Sequence, residues 1–275
     1  MQPKLLLNFA VIAIVFAFSN SCTQKNIETN KDVVNIIIET DLGNIKAFLY
    51  NETPKHRDNF VKNIEQGVYD GIIFHRVIEN FMIQGGDPAT GVKFGGDSVK
   101  LKELDTTIDA EFVPGLFHKK GVLAAARMGD NVNPMKQSSS TQFYIVQGKV
   151  FTPDELKMLE FKKNENAKNT AINNLIMDKA EKQIDEGINP NMSEIYAQFK
   201  DTIEIIKLNL KPYNFSEEQI NIYATLGGTP HLDADYTVFG EVTEGFDVID
   251  KIAAVKTGPS DKPLSNVRMK IKIIK

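Results

Sequence analysis

Between Phe74 and Asp87 the chain reads F-H-R-V-I-E-N-F-M-I-Q-G-G-D, which places one arginine, two large apolar side chains and one glutamine close together. In an extended strand side chains alternate between faces, so Phe74, Arg76 and Ile78 are expected on one face and His75 and Val77 on the other. Arg76 then offers a fixed cation to a groove. Beyond a turn at Glu79-Asn80, Phe81 and Met82 supply an aromatic ring and a thioether, which suit a small apolar ring. Gln84 adds a donor and an acceptor. A barrel strand with a surface arginine and core apolar residues accounts for this segment equally well when it is taken alone.

Other constellations fail on spacing. In G-G-D-P-A-T-G-V-K-F-G-G-D (85–97) Gly91 is followed by Val92 and not by the Lys-Ser/Thr pair of a phosphate loop, so these glycines are expected to permit a tight loop with positive φ. His56, His75, His118 and His231 have neither metal-ligand spacing nor a cysteine partner, and no metal site is expected. Ser138-Ser139-Ser140-Thr141 lacks the turn of a hydrolase nucleophile and reads as a solvated loop.

The elements that must hold the arginine and its neighbours are mostly strands. These are 35–41 and 44–50 around a Leu42-Gly43 turn, then 72–78, 121–126, 141–147, 236–241 and 267–274. Thr53-Pro54 opens a helix with Phe60, Val61 and Ile64 on one face and Gly67 at its end, and Thr243 is expected to cap a second with Phe246, Ile249 and Ala253 on one face. Many short strands with two capping helices suit a closed antiparallel barrel. Residues 152–226 break the pattern. T-P-D-E (152–155) and S-E-E-Q (216–219) are capping boxes, and the stretch between them is amphipathic and almost without strand signal. It reads as a helical insertion, more simply a surface bundle than a substrate-gripping arm. Replacing it with a short loop is expected to spare the chemistry.

The Phe74–Asp87 run closely resembles the signature of cyclophilins, the cyclosporin-binding class of peptidyl-prolyl cis-trans isomerases. Further segments are similar in the expected order: I-I-I-E-T-D-L-G-N-I-K-A-F-L-Y (36–50), T-P-K-H-R-D-N-F-V (53–61), G-V-L-A-A-A-R-M-G (121–129), S-S-S-T-Q-F-Y-I (138–145) and H-L-D-A-D-Y-T-V-F-G-E-V (231–242). The resemblance implies an isomerase domain over 34–151 and 227–275. Its expected fold is mainly β, a closed eight-stranded antiparallel barrel capped by two α-helices, interrupted by the helical insertion 152–226. It implies Arg76 as the catalytic residue. Phe81, Met82, Gln84, Ala126, Arg127, Gln142, Tyr144, His231, Leu232 and Tyr236 are implied as the groove for a proline-containing segment, with no cofactor. Four of these depart from the eukaryotic pattern: His231 replaces a tryptophan, Tyr236 a histidine, Tyr144 a phenylalanine and Arg127 an asparagine. The H-L-D-x-x-Y-T-V-F-G wording is similar to bacterial members, so these changes bear on drug affinity and substrate preference more than on activity. Two functions stay open: an isomerase acting on exported proteins, and a non-catalytic chaperone or scaffold module that binds proline segments.

The chain has 275 residues, 36 acidic against 32 basic, and a pI near 5.7. It can bury a real core. It lacks the clustered cations of a nucleic-acid footprint, so no nucleic-acid partner is expected. Lys4, an apolar stretch from Leu5 to Phe18 and then Ser19-Asn20-Ser21-Cys22 form a signal-like beginning, too short for a membrane span. The only cysteine follows small residues, as in the lipobox of bacterial lipoproteins. The expectation is a signal peptide over 1–21, a lipidated Cys22 and a polar tether over 22–33, anchoring the protein in the bacterial cell envelope at the periplasmic face or the cell surface. A signal cut near an incidental free cysteine is the alternative.

Overall fold

The computed structural model describes residues 33–274; the expected signal peptide, Cys22 and nearly all of the tether lie outside the described residues. The described residues open with the hairpin of β1 (Val34–Thr40) and β2 (Gly43–Leu49), in register from Val34 opposite Leu49 to Thr40 opposite Gly43. Gly43 takes φ 131, which only glycine tolerates well, and the Thr40 hydroxyl donates to its carbonyl at 2.6 Å. Helix α1 (Pro54–Glu65) follows Thr53, with proline in its first turn where no intrahelical N–H is needed. Next come β3 (Ile72–Ile73), β4 (Arg76–Ile78), β5 (Met82–Gly85), α2 (Ser98–Leu104), β6 (Thr107–Ile108), β7 (Val122–Ala125), β8 (Ser138–Ser139) and β9 (Phe143–Val146). Four helices follow, α3 (Pro153–Asp185), α4 (Met192–Gln198), α5 (Lys200–Asn209) and α6 (Glu217–Thr225), before β10 (Val238–Glu244), α7 (Phe246–Ala253) and β11 (Arg268–Ile274).

Nine strands make one curled antiparallel sheet in the order β3-β11-β1-β2-β10-β7-β9-β5-β4, while β6 and β8 pair separately. The expected closed eight-stranded barrel is therefore corrected to a nine-stranded half-barrel whose edges, β3 and β4, do not pair with each other. The reason lies in the segment read as one strand over 72–78. Phe74 N–H donates to the Val267 carbonyl on one side and His75 N–H to the Gln84 carbonyl on the other, at 3.0 Å each, so the chain crosses here from one edge to the other. Strict alternation fails at the crossing, and Phe74 joins Val77 in the main core. Helices α1 and α7 pack on this core through Phe60, Val248, Ile249 and Ile252.

Period-two patterning holds elsewhere. On β11 Met269 and Ile271 are buried between exposed Arg268, Lys270 and Lys272, but Ile273 is 41% exposed at the fraying end. Thr243 does not cap α7. It lies within β10, and Gly245, at φ 93, occupies the N-cap because a Cβ there would stand 2.4 Å from the Asn44 carbonyl oxygen. In the glycine-rich run only Gly86 has positive φ; Gly91 and Gly95 instead sit where a Cβ would meet neighbours at 2.8 and 2.5 Å.

Both capping boxes form, Thr152 with Glu155 and Ser216 with Gln219. The helices between them close a small core of their own around Ile172, Ile176, Ile195 and Ile203. A second cluster, Phe117, Phe151, Leu156, Phe215 and Tyr223, joins them to the loops of the sheet. Among the described residues no helix is long and apolar enough to cross a membrane, and no group of three or more His, Cys, Asp or Glu side chains is placed to hold a metal.

Candidate active site

Antiparallel register puts the residues of interest in one row. Arg76 on β4 lies opposite Gln84 on β5, Gln84 opposite Tyr144 on β9, Tyr144 opposite Ala124 on β7, and Ala124 opposite Val238 on β10. Directly paired residues share a face of the sheet. The next row along that face begins with Ile78, Met82 and Val146. Along β5, β9, β7 and β10 the sheet is apolar on both faces. Val77, Ile83, Leu123, Phe143 and Ile145 point into the main core, while Met82, Val122, Ala124, Tyr144, Val146 and Val238 form a second cluster. Leu232 closes that cluster, and Phe81, Ala126 and Tyr236 pack against it half-buried. The structure thus brings Arg76 together with nine of the ten sequence-expected groove residues on one side, with Arg127 folded across the rim.

Phe81 follows directly on the tight turn at Asn80, whose φ is 62, and its N–H donates to the Ile78 carbonyl. Gln84 Nε2 donates to Gln142 Oε1 at 3.2 Å, orienting both amides at the edge of the apolar floor. His231 stacks on Phe81, ring centroids 5.4 Å apart. Arg76 keeps 42% of its side chain exposed, and its Nε donates to Asp261 Oδ2 at 3.2 Å. That single bond holds the guanidinium at Nε, and its terminal nitrogens have no hydrogen-bond partner among the described residues. Arg127 does not extend into open groove. Its Nε donates to the Asp235 carbonyl at 2.7 Å and its guanidinium lies 4.5 Å from the Tyr236 ring centroid. The Ala126 backbone is also committed, its N–H to the Gln142 carbonyl and its carbonyl to Ser139 N–H, so of this pair Arg127 is the residue with main chain left for a ligand.

Beneath Tyr144 lies a chain of polar groups that the sequence did not reveal. The Tyr144 hydroxyl meets His118 Nε2 at 2.9 Å, and His118 Nδ1 meets Asp233 Oδ1 at 3.0 Å. Burial first, then the nearby Tyr236 and Asp233 oxygens, push the Tyr144 phenol well above its ordinary pKa, so it stays protonated as a donor. Burial likewise lowers the pKa of His231, which keeps that ring neutral at pH 7. His118 was legible only as a histidine without metal spacing; its partner Asp233 is 115 positions away, and no local pattern links them.

The sequence model described as cyclophilin type peptidyl-prolyl cis-trans isomerase matches residues 35–163 and 162–273. The chain belongs to the cyclophilin-type peptidyl-prolyl cis-trans isomerase family. It is 31% identical over 246 residues to a Staphylococcus aureus (strain COL) protein whose name assigns it provisionally to the peptidyl-prolyl cis-trans isomerases, covering 89% of this chain and 93% of the relative. A Staphylococcus saprophyticus protein with the same provisional name gives the same values. Among solved structures, a Cryptosporidium parvum cyclophilin type peptidyl-prolyl cis-trans isomerase shares the fold, with a TM-score of 0.50 at 21% identity over 88% of this chain and 98% of its own. In this cyclophilin the helices α3–α6 enter between β9 and β10, beside the groove.

Proposed function

We propose that this cyclophilin catalyses cis-trans isomerisation of Xaa-Pro bonds in exported polypeptides, held to the bacterial envelope by a lipid on Cys22. The observation that carries the catalytic reading is the row Arg76–Gln84–Tyr144, which sets a permanent cation and an oriented amide beside an apolar floor. Rotating an Xaa-Pro bond unaided faces a barrier of about 18–20 kcal/mol, yet no bond has to break. As the bond twists, amide resonance is lost and the proline nitrogen becomes more basic. A donor aimed there binds the twisted state better than the planar one, and that difference is catalysis. Arg76 supplies the donor without changing charge. Phe81, Met82, Tyr144 and Leu232 grip the proline ring, while Gln84, Gln142 and the Arg127 main chain hold the residues before it. One half of the bond is fixed and the other turns, with no general base.

The envelope placement rests on the signal-like beginning and the lone cysteine that closes it. A protease-coupled isomerisation assay on an Ala-Xaa-Pro-Phe-type peptide tests the enzyme. Acceleration proportional to protein concentration is expected; binding of the peptide without acceleration would reduce the protein to a proline-segment binding module. For the anchor, Cys22→Ser is expected to release the protein from membranes or stall its processing, and a mature-size variant that still sediments with membranes would contradict the lipid.

A further inference from the structure

We infer that Asp233 and His118 are positioning residues through which the helices of 153–225 set the floor and lip of the proline pocket; this rests on the isomerase reading above. Asp233 follows Leu232 directly and is 3% exposed, yet its carboxylate is saturated with donors. Oδ1 accepts from the His118 backbone N–H at 2.8 Å and from His118 Nδ1 at 3.0 Å. Oδ2 accepts from the hydroxyl of Tyr223 on α6 at 2.7 Å, from the Tyr213 hydroxyl at 3.2 Å and from Gln219 Nε2 on α6 at 3.4 Å.

The direction of the bonds follows. Because a carboxylate only accepts, His118 Nδ1 carries a proton, and in the neutral ring Nε2 then accepts from the Tyr144 hydroxyl. His118 and Tyr223 have no exposed surface and Tyr144 only 4%, so water cannot substitute for a missing partner. Packing enforces the same junction: a Cβ on Gly228 would stand 2.2 Å from the His118 carbonyl oxygen and 2.6 Å from the Tyr223 ring. From the other side α3 reaches the same loop, where Lys163 Nζ contacts Asp235 Oδ2 at 2.5 Å and donates to the His231 carbonyl at 3.3 Å. Residues 231–236 carry three pocket side chains, His231, Leu232 and Tyr236, and the helices hold this loop at Asp233 and at Asp235. The departure at Tyr144 gains a reason, since phenylalanine there would leave His118 Nε2 without a partner.

The test is a double-mutant cycle in the full chain, solubilised in mild detergent, with Tyr223→Phe, Tyr144→Phe and both together. Tyr223→Phe removes one oxygen from a residue whose ring packs with Phe117, Phe151 and Phe215 outside the groove cluster, and it conserves that packing. Magnetisation exchange on an Xaa-Pro peptide gives kcat and KM, and thermal unfolding gives Tm. Each single variant is expected to lose about three- to tenfold in kcat/KM, mainly through KM, because small misplacement of a gripping group is costly. The double variant should lose less than about twofold more than the worse single one, since both changes cut the same connection. Losses that multiply independently, or a lowered Tm with kcat/KM unchanged in Tyr223→Phe, would overturn the inference. Should the unaltered chain not isomerise the peptide, the isomerase reading fails by itself. The connection is then read from the ring proton shifts of Tyr144 and Tyr236: shifts moved by Tyr223→Phe support it, and unmoved shifts overturn it.

Discussion

Arg76 and Asp261 form an ion pair with side chains 42% and 44% exposed, a setting in which such a pair contributes only about 0–1 kcal/mol to stability. Its effect is on aim, because one bond to Nε restricts the guanidinium plane. Asp261 sits at φ 58, so glycine is the substitution that removes the carboxylate without straining the backbone. Asp261→Gly is expected to lower kcat about three- to tenfold, with KM within twofold and Tm unchanged, by analogy with loosening a preorganised donor. Unchanged kcat would show that Arg76 is aimed by something else. Arg76, Phe81, Met82 and Gln84 were legible as a group because one short segment carries all four, and the family resemblance implied their roles. Asp261 was not, since it stands 185 positions away and only the tertiary fold brings it there.

At the level of elements, the strands were legible from their alternation and the long helices from their capping boxes. What alternation could not show was the crossing at Phe74–His75, where hydrogen bonds switch from one neighbour to another within two residues and the expected single strand becomes two edges. Nor could amphipathic spacing show what the helices of 153–225 pack against. A surface bundle that could be excised silently was the simpler reading, but Tyr213, Gln219 and Tyr223 all donate to Asp233. Replacing 152–226 with a short glycine-containing loop would leave a buried carboxylate oxygen short of three donors, and losing even one partner of a buried charged group costs about 1–3 kcal/mol or more. A folded deletion variant is therefore expected to lose at least about tenfold in kcat/KM. Full activity in that variant would restore the picture of a decorative bundle.

For the whole molecule, three histidines bear on the response to mild acid. Burial lowers the pKa of His56, His75 and His231 below 6.5, and at His56 it prevails over the opposing carboxylate of Glu111, 2.7 Å from Nδ1. The unfolded chain then takes up more protons than the folded one as pH falls through about 6.5, so stability is present above that pH and lost below it. Burial works against the Asp235 carboxylate, but hydrogen bonds from Lys136 and Lys163 outweigh it and hold its pKa below 3.8, which adds a further loss only in stronger acid. Tm is expected to be level from pH 8 to 7 and to fall between about pH 6.5 and 5, less steeply in His231→Gln. A Tm that is constant or rises over that interval would contradict the lowered pKa values of these rings.

On the proposed mechanism Arg76 stabilises the twisted Xaa-Pro bond and does little for the planar one. Magnetisation exchange on a single Xaa-Pro peptide reports both the isomerisation rate on the protein and the peptide affinity, so one titration separates the two. In Arg76→Ala the turnover should fall about 10²–10³-fold while affinity changes less than tenfold, and Arg76→Lys should recover little because an ammonium lacks the planar fork of donors. Turnover close to that of the unaltered protein in a folded Arg76→Ala variant would contradict the mechanism.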